Sequence, residues 1–275
     1  MMNIRSRLRR ALHGVRTEHA GGRRDAAAPR GADRHFLAIV RGAADRYVGT
    51  SLTAWAFARG KLRSDPVYRA TLSPDVLPSG GALLDIGCGQ GLTLALLGEA
   101  RAAHASGRWP HHWPPPPRFD RMVGVEIRRR AAALAREALA SEAEIIQADA
   151  RALPLEPARV VVLFDVLHMM TPEEQDALLR AIATRLEPGG VVLVRDTDAS
   201  GGWRFTAVWL AFRLKALVLG SWRQPFHART EGEWHACFSN RGFLVDARPM
   251  GHGTPFANVL FRLTAPAKHS GRPSV

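Results

Sequence analysis

The segment LLDIGCGQGLT, residues 83–93, decides the fold. Its first residues form a short apolar run typical of a buried strand, and an amphipathic helix pattern follows Gly91. Three glycines, Gly87, Gly89 and Gly91, stand at the turn, where glycine permits positive φ and close approach of a ligand. In an open parallel sheet this turn lies at the carboxyl end of the strand, where ligands bind. Nicotinamide enzymes place a third glycine one position later, where this chain has Leu92.

Apolar runs and helical patterns alternate along the rest of the chain. This alternation predicts a parallel sheet covered on both faces. About eight residues join the last two strands, which is too short for a parallel crossover, so the final strand is predicted to be antiparallel. Strands are predicted at 82–87, 121–127, 143–149, 159–166, 190–196, 242–248 and 257–265, and helices within 36–72 and at 92–101, 128–140, 172–186, 203–220 and 230–240.

Acidic residues stand in or after the first three strands, and a Pro-Gly-Gly turn at 188–190 precedes the fifth. Glu126 is placed to accept both hydroxyls of a ribose, Asp149 lies beside the same crevice, and Asp85 is expected to face a cation or ordered water. Each also has a structural alternative. Asp85 could cap a turn, Glu126 could pair with an arginine among 128–130, and Asp149 could be a surface acid.

Taken in this order, the motifs resemble the class I S-adenosylmethionine-dependent methyltransferases over about residues 80–265. The resemblance implies an α/β, Rossmann-like, doubly wound sheet of seven strands, in the order 3-2-1-4-5-7-6, with strand seven antiparallel and an N-terminal helical cap. It also implies S-adenosyl-L-methionine as the cofactor and no metal.

The resemblance further implies roles for individual residues. The glycine loop would pass under the methionine moiety, and Glu126 would hold the ribose hydroxyls. Asp149 would meet the adenine amino group, with the Ala150 backbone nearby, and Asp165 would lie near the methionine or the methyl acceptor. The predicted cofactor-binding residues are Asp85, Gly87, Cys88, Gly89, Gln90, Gly91, Glu126, Ile127, Asp149, Ala150 and Asp165.

Candidates for a general base follow the fourth and fifth strands. Methyl transfer from a sulfonium depends mostly on alignment, but a phenol or carbon acid also benefits from a base with a pKa of about 7. His168, in FDVLHMM, is the best placed, and Asp196 is the second predicted catalytic residue. The alternative is a histidine packed against Met169 and Met170 at the start of a helix. More distant candidates are Asp198, His227 and His252.

Aromatic residues are frequent in the two regions predicted to enclose the acceptor. The region 200–228, between strands five and six, is predicted to form a substrate lid, and the N-terminal helices the opposite wall. An aromatic-rich pocket suits an apolar or aromatic small molecule, although ordinary core packing is the alternative. These residues are Trp203, Phe205, Trp209, Phe212 and Trp222 in the lid and Tyr47, Trp55, Phe57 and Tyr68 in the helices.

Three stretches, 59–66, 201–230 and 248–263, look similar to methyltransferases of bacterial aryl-polyene and xanthomonadin-type pigment biosynthesis. This similarity implies methylation, on oxygen or carbon, of an aryl head group or a related lipophilic intermediate, either free or bound to a carrier protein.

The net charge of +13 is concentrated near the N-terminus, since segment 1–34 holds nine arginines against three acidic residues. We predict a basic, disordered tail at 1–34, a helical cap at 35–78, a methyltransferase domain at 79–265 and a tail at 266–275. The Pro-rich insertion at 104–118 is predicted to be an extended, solvated loop without a metal site, despite the adjacent His111 and His112.

Two other functions stay open. An RNA methyltransferase is the weaker alternative, because the asparagine/aspartate-Pro-Pro-aromatic tetrad of base-directed enzymes is absent from the DVLHMM run, and nucleic acid is not the partner expected. The Arg-rich tail keeps it open, since phosphate contacts need only positive charge. A catalytically inactive binding subunit is the other alternative. Arg213 and Lys215 interrupt the apolar run 203–222, which predicts an amphipathic helix and peripheral contact with the inner membrane. Two cysteines, Cys88 and Cys237, fit a reducing, cytoplasmic location.

Overall fold

The computed structural model describes residues 31–218, 226–251, 254 and 256–265. Their strands form one seven-stranded sheet in the order β3-β2-β1-β4-β5-β7-β6. The first five strands are parallel, and β7 runs antiparallel to both β5 and β6, so the predicted fold class is confirmed. The strands are β1 (Ala82–Ile86), β2 (Arg121–Val125), β3 (Glu144–Ile146), β4 (Ala158–Phe164), β5 (Leu186–Thr197), β6 (Leu244–Pro249) and β7 (Asn258–Thr264).

The helices begin where the sequence supplies caps. Thr171 and Glu174 form a capping box, and Thr230 and Glu233 form another, so both helices start with their first amides satisfied. The helices are α1 (Gly31–Asp45), α2 (Leu52–Ser64), α3 (Pro66–Ala70), α4 (Leu92–Ala105), α5 (Arg129–Leu139), α6 (Pro172–Arg185), α7 (Trp203–Val218) and α8 (Glu231–Ser239), with a 3₁₀ turn at Leu167–Met169.

Two apolar cores cover the two faces of the sheet. Alternate residues of β4 divide between them, with Val160 and Val162 in one core and Val161 and Leu163 in the other. The first core joins the sheet to α4, α5 and the N-terminal helices, and it includes Tyr47. The second joins it to α6 and α8. The N-terminal helices therefore share a core with the sheet that carries the site.

Several element bounds differ from those predicted. β3 ends at Ile146, because the chain turns before Asp149. β5 begins at Leu186, so the predicted 188–190 turn forms an irregularity at the start of the strand, where Gly189 has a φ of 69°. α1 begins at Gly31, inside the segment predicted as a tail.

The insertion at 104–118 is not wholly solvated, which corrects the sequence-based expectation. Its first residues belong to α4, and Trp109 is buried with its indole Nε1 donating to the Pro114 carbonyl at 3.0 Å. Trp109 also packs edge-on against Trp113. Burial of indole surface against the core therefore anchors this Pro-rich segment.

Candidate active site

The glycine loop between β1 and α4 needs glycine for two different reasons. All three residues have positive φ, at 71° for Gly87, 60° for Gly89 and 77° for Gly91. A Cβ atom at Gly87 would lie 2.5 Å from Val166, and one at Gly91 would lie 2.7 Å from Leu139. At Gly89 a Cβ atom would lie 3.7 Å from the Arg128 guanidinium, which is an ordinary van der Waals contact, so positive φ is the only reason for glycine at this residue. The loop therefore combines three left-handed backbone positions with close packing of its two ends.

Glu126, after β2, is buried and its carboxylate faces the glycine loop. It accepts a hydrogen bond from the Gly89 amide at 2.9 Å and others from the Arg128 amide at 2.8 Å and side chain at 3.0 Å. Burial alone raises the pKa of Glu126, but these donors outweigh it and the pKa is lowered. The pairing with Arg128, foreseen as an alternative, is therefore present, on the crevice side of the strand.

Two acceptor oxygens near the loop have no hydrogen-bond partner within the described part of the chain: Asp85 Oδ2 and Gln90 Oε1. Burial, together with the nearby Glu126 carboxylate, raises the pKa of Asp85 to about 7. A buried unpaired acceptor is costly unless a donor reaches it. The loop therefore fits a ligand that brings a cationic or hydrogen-bonding group, such as the α-ammonium of an amino acid.

The predicted adenine end of the crevice is more open. The Ile127 side chain is 56% exposed immediately after Glu126, and a flat apolar ligand ring would cover it. Asp149 is half-buried and accepts hydrogen bonds from the Arg151 amide at 3.0 Å and side chain at 2.9 Å. Arg151 lowers the pKa of Asp149. Ala150 lies between them and is half-buried.

Cys88, in the glycine loop, is a packing residue rather than a reactive thiol. Burial, followed by the charges of Asp85 and Glu126, raises its pKa. A Cβ atom at Gly124 of β2 would lie 2.8 Å from its sulfur, so Cys88 packs against the strand where that glycine makes room. Its contribution to a cofactor site is thus through the backbone.

Asp165, at the end of β4, is held in a strained conformation. Its φ is 59°, which is uncommon for any residue except glycine. Arg195 Nε donates to its Oδ1 at 3.0 Å, and another guanidinium nitrogen pairs with Oδ2. Arg195 also pairs with Asp65 at the start of α3, to which Lys61 donates at 2.8 Å. The predicted site residue Asp165 is thus tied to the N-terminal helices through a buried arginine.

The two predicted catalytic residues lie together. His168 Nδ1 is 2.6 Å from Asp196 Oδ1, and both side chains are buried. The second carboxylate oxygen accepts the His168 amide at 3.1 Å, and the Thr197 amide donates to the first at 2.8 Å. Burial lowers the pKa of His168, but the Asp196 carboxylate outweighs burial and the pKa is raised. His168 is therefore held by a carboxylate rather than packed only against Met169 and Met170.

Gln175 was not predicted from the sequence, although it positions the His168 turn. It is fully buried on α6, and the two N–H groups of its Nε2 are shared among three carbonyls, those of Leu167 at 2.9 Å, His227 at 3.0 Å and Met170 at 3.2 Å. The sequence did contain a signal that Gln175 is buried. It occupies a position on the apolar stripe of α6 that Leu178, Leu179 and Ile182 continue.

Aromatic rings cover the His168 imidazole. The ring of Phe226 is centred 5.1 Å from it and that of Phe212 5.9 Å, and Phe205 packs against Phe226. Trp203 and Trp209, predicted to enclose the acceptor with them, are 69% and 41% exposed. Tyr47 and Tyr68 are buried, Trp55 is half-buried and Phe57 is exposed, and Trp222 lies outside the described residues.

The more distant candidates are not placed as bases. Asp198 accepts hydrogen bonds from Ser200 and from the Glu231 amide, so it organises the turn before α8. His227 contacts the site through its backbone, which donates to the His168 carbonyl at 2.7 Å. His252 lies outside the described residues.

Comparison with known proteins identifies the family. The methyltransferase domain family matches residues 55–247 of this chain. The chain belongs to that family. The predictions of a methyltransferase and of S-adenosyl-L-methionine as its cofactor are confirmed at the level of the family, and the exposed Ile127 and the unpaired oxygen of Asp85 fit such a ligand.

One curated relative of this methyltransferase is the carboxy-S-adenosyl-L-methionine synthase of Chromohalobacter salexigens, at 31% identity over 123 residues. That match covers 42% of this chain and 40% of the relative. An O-methyltransferase family protein of Burkholderia thailandensis shares the fold with a TM-score of 0.55 and 17% identity, over 83% of this chain and 64% of that one. Human N-acetylserotonin methyltransferase, solved in complex with S-adenosyl-L-methionine, has a TM-score of 0.52 and 19% identity. That match covers 94% of this chain and 66% of the human one.

No group of three or more His, Cys, Asp or Glu side chains in the described ranges is arranged to hold a metal ion. None of the helices that the structure describes combines the length and apolarity needed to span a bilayer.

Proposed function

We propose that this methyltransferase methylates a hydroxyl group of a lipophilic, aromatic small molecule, with His168 as the general base. The observation that supports this most strongly is the 2.6 Å contact between His168 and Asp196, at the carboxyl ends of β4 and β5 and beneath aromatic rings. A phenol must lose its proton as it attacks, and a histidine oriented by a buried carboxylate is suited to accept it.

S-adenosyl-L-methionine, when bound, supplies an electrophilic methyl group on a sulfonium. The residues proposed to hold it are Asp85, the glycine loop 87–91, Glu126 and Ile127, with Asp149 and Ala150 at the far end. Their charges suit its parts, because the ionised Glu126 accepts hydroxyl donors and Asp85 accepts an ammonium.

His168 is set in the tautomer that a base requires. Because Asp196 Oδ1 accepts a hydrogen bond at Nδ1, the proton lies on that nitrogen and Nε2 is left as the acceptor. Nε2 would take the proton of the acceptor hydroxyl as the bound donor supplies its methyl group and keeps the sulfur electron pair. Asp196 would stabilise the imidazolium that His168 becomes.

The rings of Phe205, Phe212 and Phe226 are proposed to exclude water and to contact the acceptor. Apolar pockets with few polar groups bind lipophilic molecules and orient them by those groups. The similarity of three stretches to pigment-biosynthesis enzymes supports an aryl head group of that type, either free or on a carrier protein. Asp165 is proposed to lie between donor and acceptor, held there by Arg195.

A radiolabelled-methyl assay tests this function. The purified chain would be given labelled S-adenosyl-L-methionine with a panel of phenolic acids and their thioesters, and separately with total RNA. We expect label in an ether-linked methyl of a phenol. Label on a ring carbon would contradict oxygen as the acceptor atom. Label mainly in RNA would favour the RNA methyltransferase alternative.

The variant His168→Gln tests the base. It should reduce kcat by about 10²–10⁴-fold, while His227→Gln, which alters a histidine that contacts the site through its backbone, should have a small effect. Calorimetry with S-adenosyl-L-methionine separates binding from catalysis. Binding without any product would favour the inactive-subunit alternative.

We propose a cytoplasmic location with peripheral membrane contact. Cys88 and Cys237 are both free and buried, as expected where thiols stay reduced.

A further inference from the structure

Helix α7 is apolar on two opposite sides. One side carries Phe205 and Phe212, which pack with Phe226 beside His168. The other side carries Trp203, Leu210 and Leu214, which are 69%, 51% and 55% exposed. Their spacing of seven and four residues puts them on one face of a helix. We call these three residues the outer α7 face, which Trp209, 41% exposed, flanks on one side.

The charges on α7 all have one sign. The helix contains Arg204, Arg213 and Lys215 and no acidic residue. The guanidinium of Arg204 lies 5.7 Å from the centre of the Trp203 ring, and that of Arg213 lies 5.6 Å from the Trp209 ring. Basic groups therefore border exposed tryptophan and leucine, which is the composition of helices that lie in the interface of an anionic membrane.

We propose that the outer α7 face docks on the surface of an anionic phospholipid bilayer. The exposed leucines and tryptophans would enter the boundary between headgroups and acyl chains, while the arginines contact lipid phosphates. A second copy of the chain fits this face less well, because it would bring two all-basic helices together. The basic segments 1–30 and 266–275 of the same chain would be repelled for the same reason.

Docking here would also place the active site at the membrane surface. The inner side of α7 contacts His168 through Phe212, so a lipophilic acceptor dissolved in the bilayer could reach the base along this helix. This second step rests on the proposed function, whereas the docking itself does not.

Vesicle flotation with the full chain tests the docking. The lipid would be phosphatidylcholine alone or phosphatidylcholine with phosphatidylglycerol, and no donor or acceptor would be added. The test variant is the triple change Trp203→Ser, Leu210→Ser and Leu214→Ser. The control is Leu244→Ser, which alters an equally exposed leucine on β6. All variants keep residues 1–34, so attraction by that basic segment is common to them.

We expect the chain and Leu244→Ser to float with phosphatidylglycerol vesicles, and the triple variant to bind at least ten-fold more weakly. The tryptophan emission of the chain should shift to the blue on binding. Equal binding by the triple variant, with unchanged circular dichroism, would overturn the proposal. A second result would also overturn the proposal. If light scattering showed a dimer for the chain and for Leu244→Ser but not for the triple variant, the outer α7 face would be a contact between two copies. The flotation and light-scattering results do not depend on methyl transfer, so failure of the proposed function would leave both of them unchanged.

Discussion

The pKa of His168 reflects two opposed effects at one residue. Burial disfavours the imidazolium, yet the adjacent carboxylate of Asp196 stabilises it more, so the pKa lies above its ordinary value. The carboxylate therefore makes His168 a stronger base and at the same time fixes which nitrogen is free. The cost is that His168 is protonated, and unable to act as a base, up to a higher pH.

The pH dependence of kcat follows from this. We expect kcat to fall as the pH decreases through the raised pKa of His168, so the acid limb should lie above about pH 6.5. Asp196→Asn should move that limb to lower pH and reduce the plateau rate by about 10²-fold or more, because the amide neither raises the pKa nor fixes the tautomer. Initial rates from pH 5 to 9 measure the position of the acid limb and the plateau rate. If the acid limb does not shift in Asp196→Asn, it reports the titration of a group other than His168.

Asp85 favours function at the expense of stability. The folded chain keeps its proton up to about pH 7, whereas the unfolded chain loses it at about pH 4, so this residue makes unfolding easier as the pH rises through that interval. Asp85→Asn should therefore raise the free energy of unfolding at pH 8 by about 1–4 kcal/mol. The same change should weaken binding of S-adenosyl-L-methionine by about 10–100-fold, because the ammonium loses a charged partner.

Urea unfolding at pH 5 and pH 8, with calorimetry of the cofactor, checks both effects. The gain in unfolding free energy caused by Asp85→Asn should appear at pH 8 and be small at pH 5. A variant that loses stability at pH 8 would show that Asp85 is ionised and paired in the unliganded chain.

At the scale of elements, Arg195 joins β5 to the end of β4 and to the start of α3. Its side chain is 1% exposed and pairs with Asp165 and Asp65. Removing Arg195 takes both of its hydrogen bonds from Asp165 and leaves the buried Asp65 with Lys61 alone, so Arg195→Met should cost about 3–5 kcal/mol of unfolding free energy. The matched control, Arg248→Met, removes an exposed arginine that pairs with Asp75 and should cost less than about 1 kcal/mol.

Chemical denaturation compares the two arginine variants. If Arg195→Met and Arg248→Met cost equal amounts, the buried network would not be what holds Asp165 in its left-handed conformation.

Gln175 connects α6 to the turn that carries His168. Gln175→Met keeps the side-chain length but leaves three carbonyls without their donor, so we expect a loss of about 1–3 kcal/mol in stability. We also expect kcat to fall more than KM changes, because His168 is less well placed. Gln147→Met, at an exposed position, is the control. A drop in stability with unchanged kcat would limit Gln175 to a structural role.

At the scale of the whole molecule, the N-terminal helices and the sheet form one unit. They share an apolar core, and Tyr47 on the segment after α1 donates to the Gln90 carbonyl of the glycine loop at 2.7 Å. The Asp65–Arg195 pair makes a second connection at the other end of the site. The helices therefore hold both the glycine loop and, through Arg195, the end of β4.

We accordingly expect one cooperative thermal transition for the whole chain. S-adenosyl-L-methionine should raise its midpoint, because a ligand that binds only the folded state stabilises all of that state. Scanning calorimetry with and without the cofactor measures this. Two separate transitions, of which the cofactor shifts only one, would show that the cap unfolds independently.

The sequence by itself determined the fold class. Local periodicity and one short connection were sufficient for a parallel sheet with an antiparallel β7, because these depend on the pattern of nearby residues, whereas the strand order followed from the resemblance of the motifs to a known family. The same patterns placed Glu126, Asp165 and His168 at or near the ends of their strands.

Only the tertiary structure decided which side chains meet. The contacts of His168 with Asp196, of Arg195 with Asp65 and of Gln175 with three carbonyls join residues that are distant in the chain, and no local period records them. The tertiary structure also decided which side of α7 is exposed to solvent. α7 is apolar on two opposite sides, so its sequence could not say that Phe212 faces the base while Trp203 faces outward. That choice depends on the surface against which the helix packs.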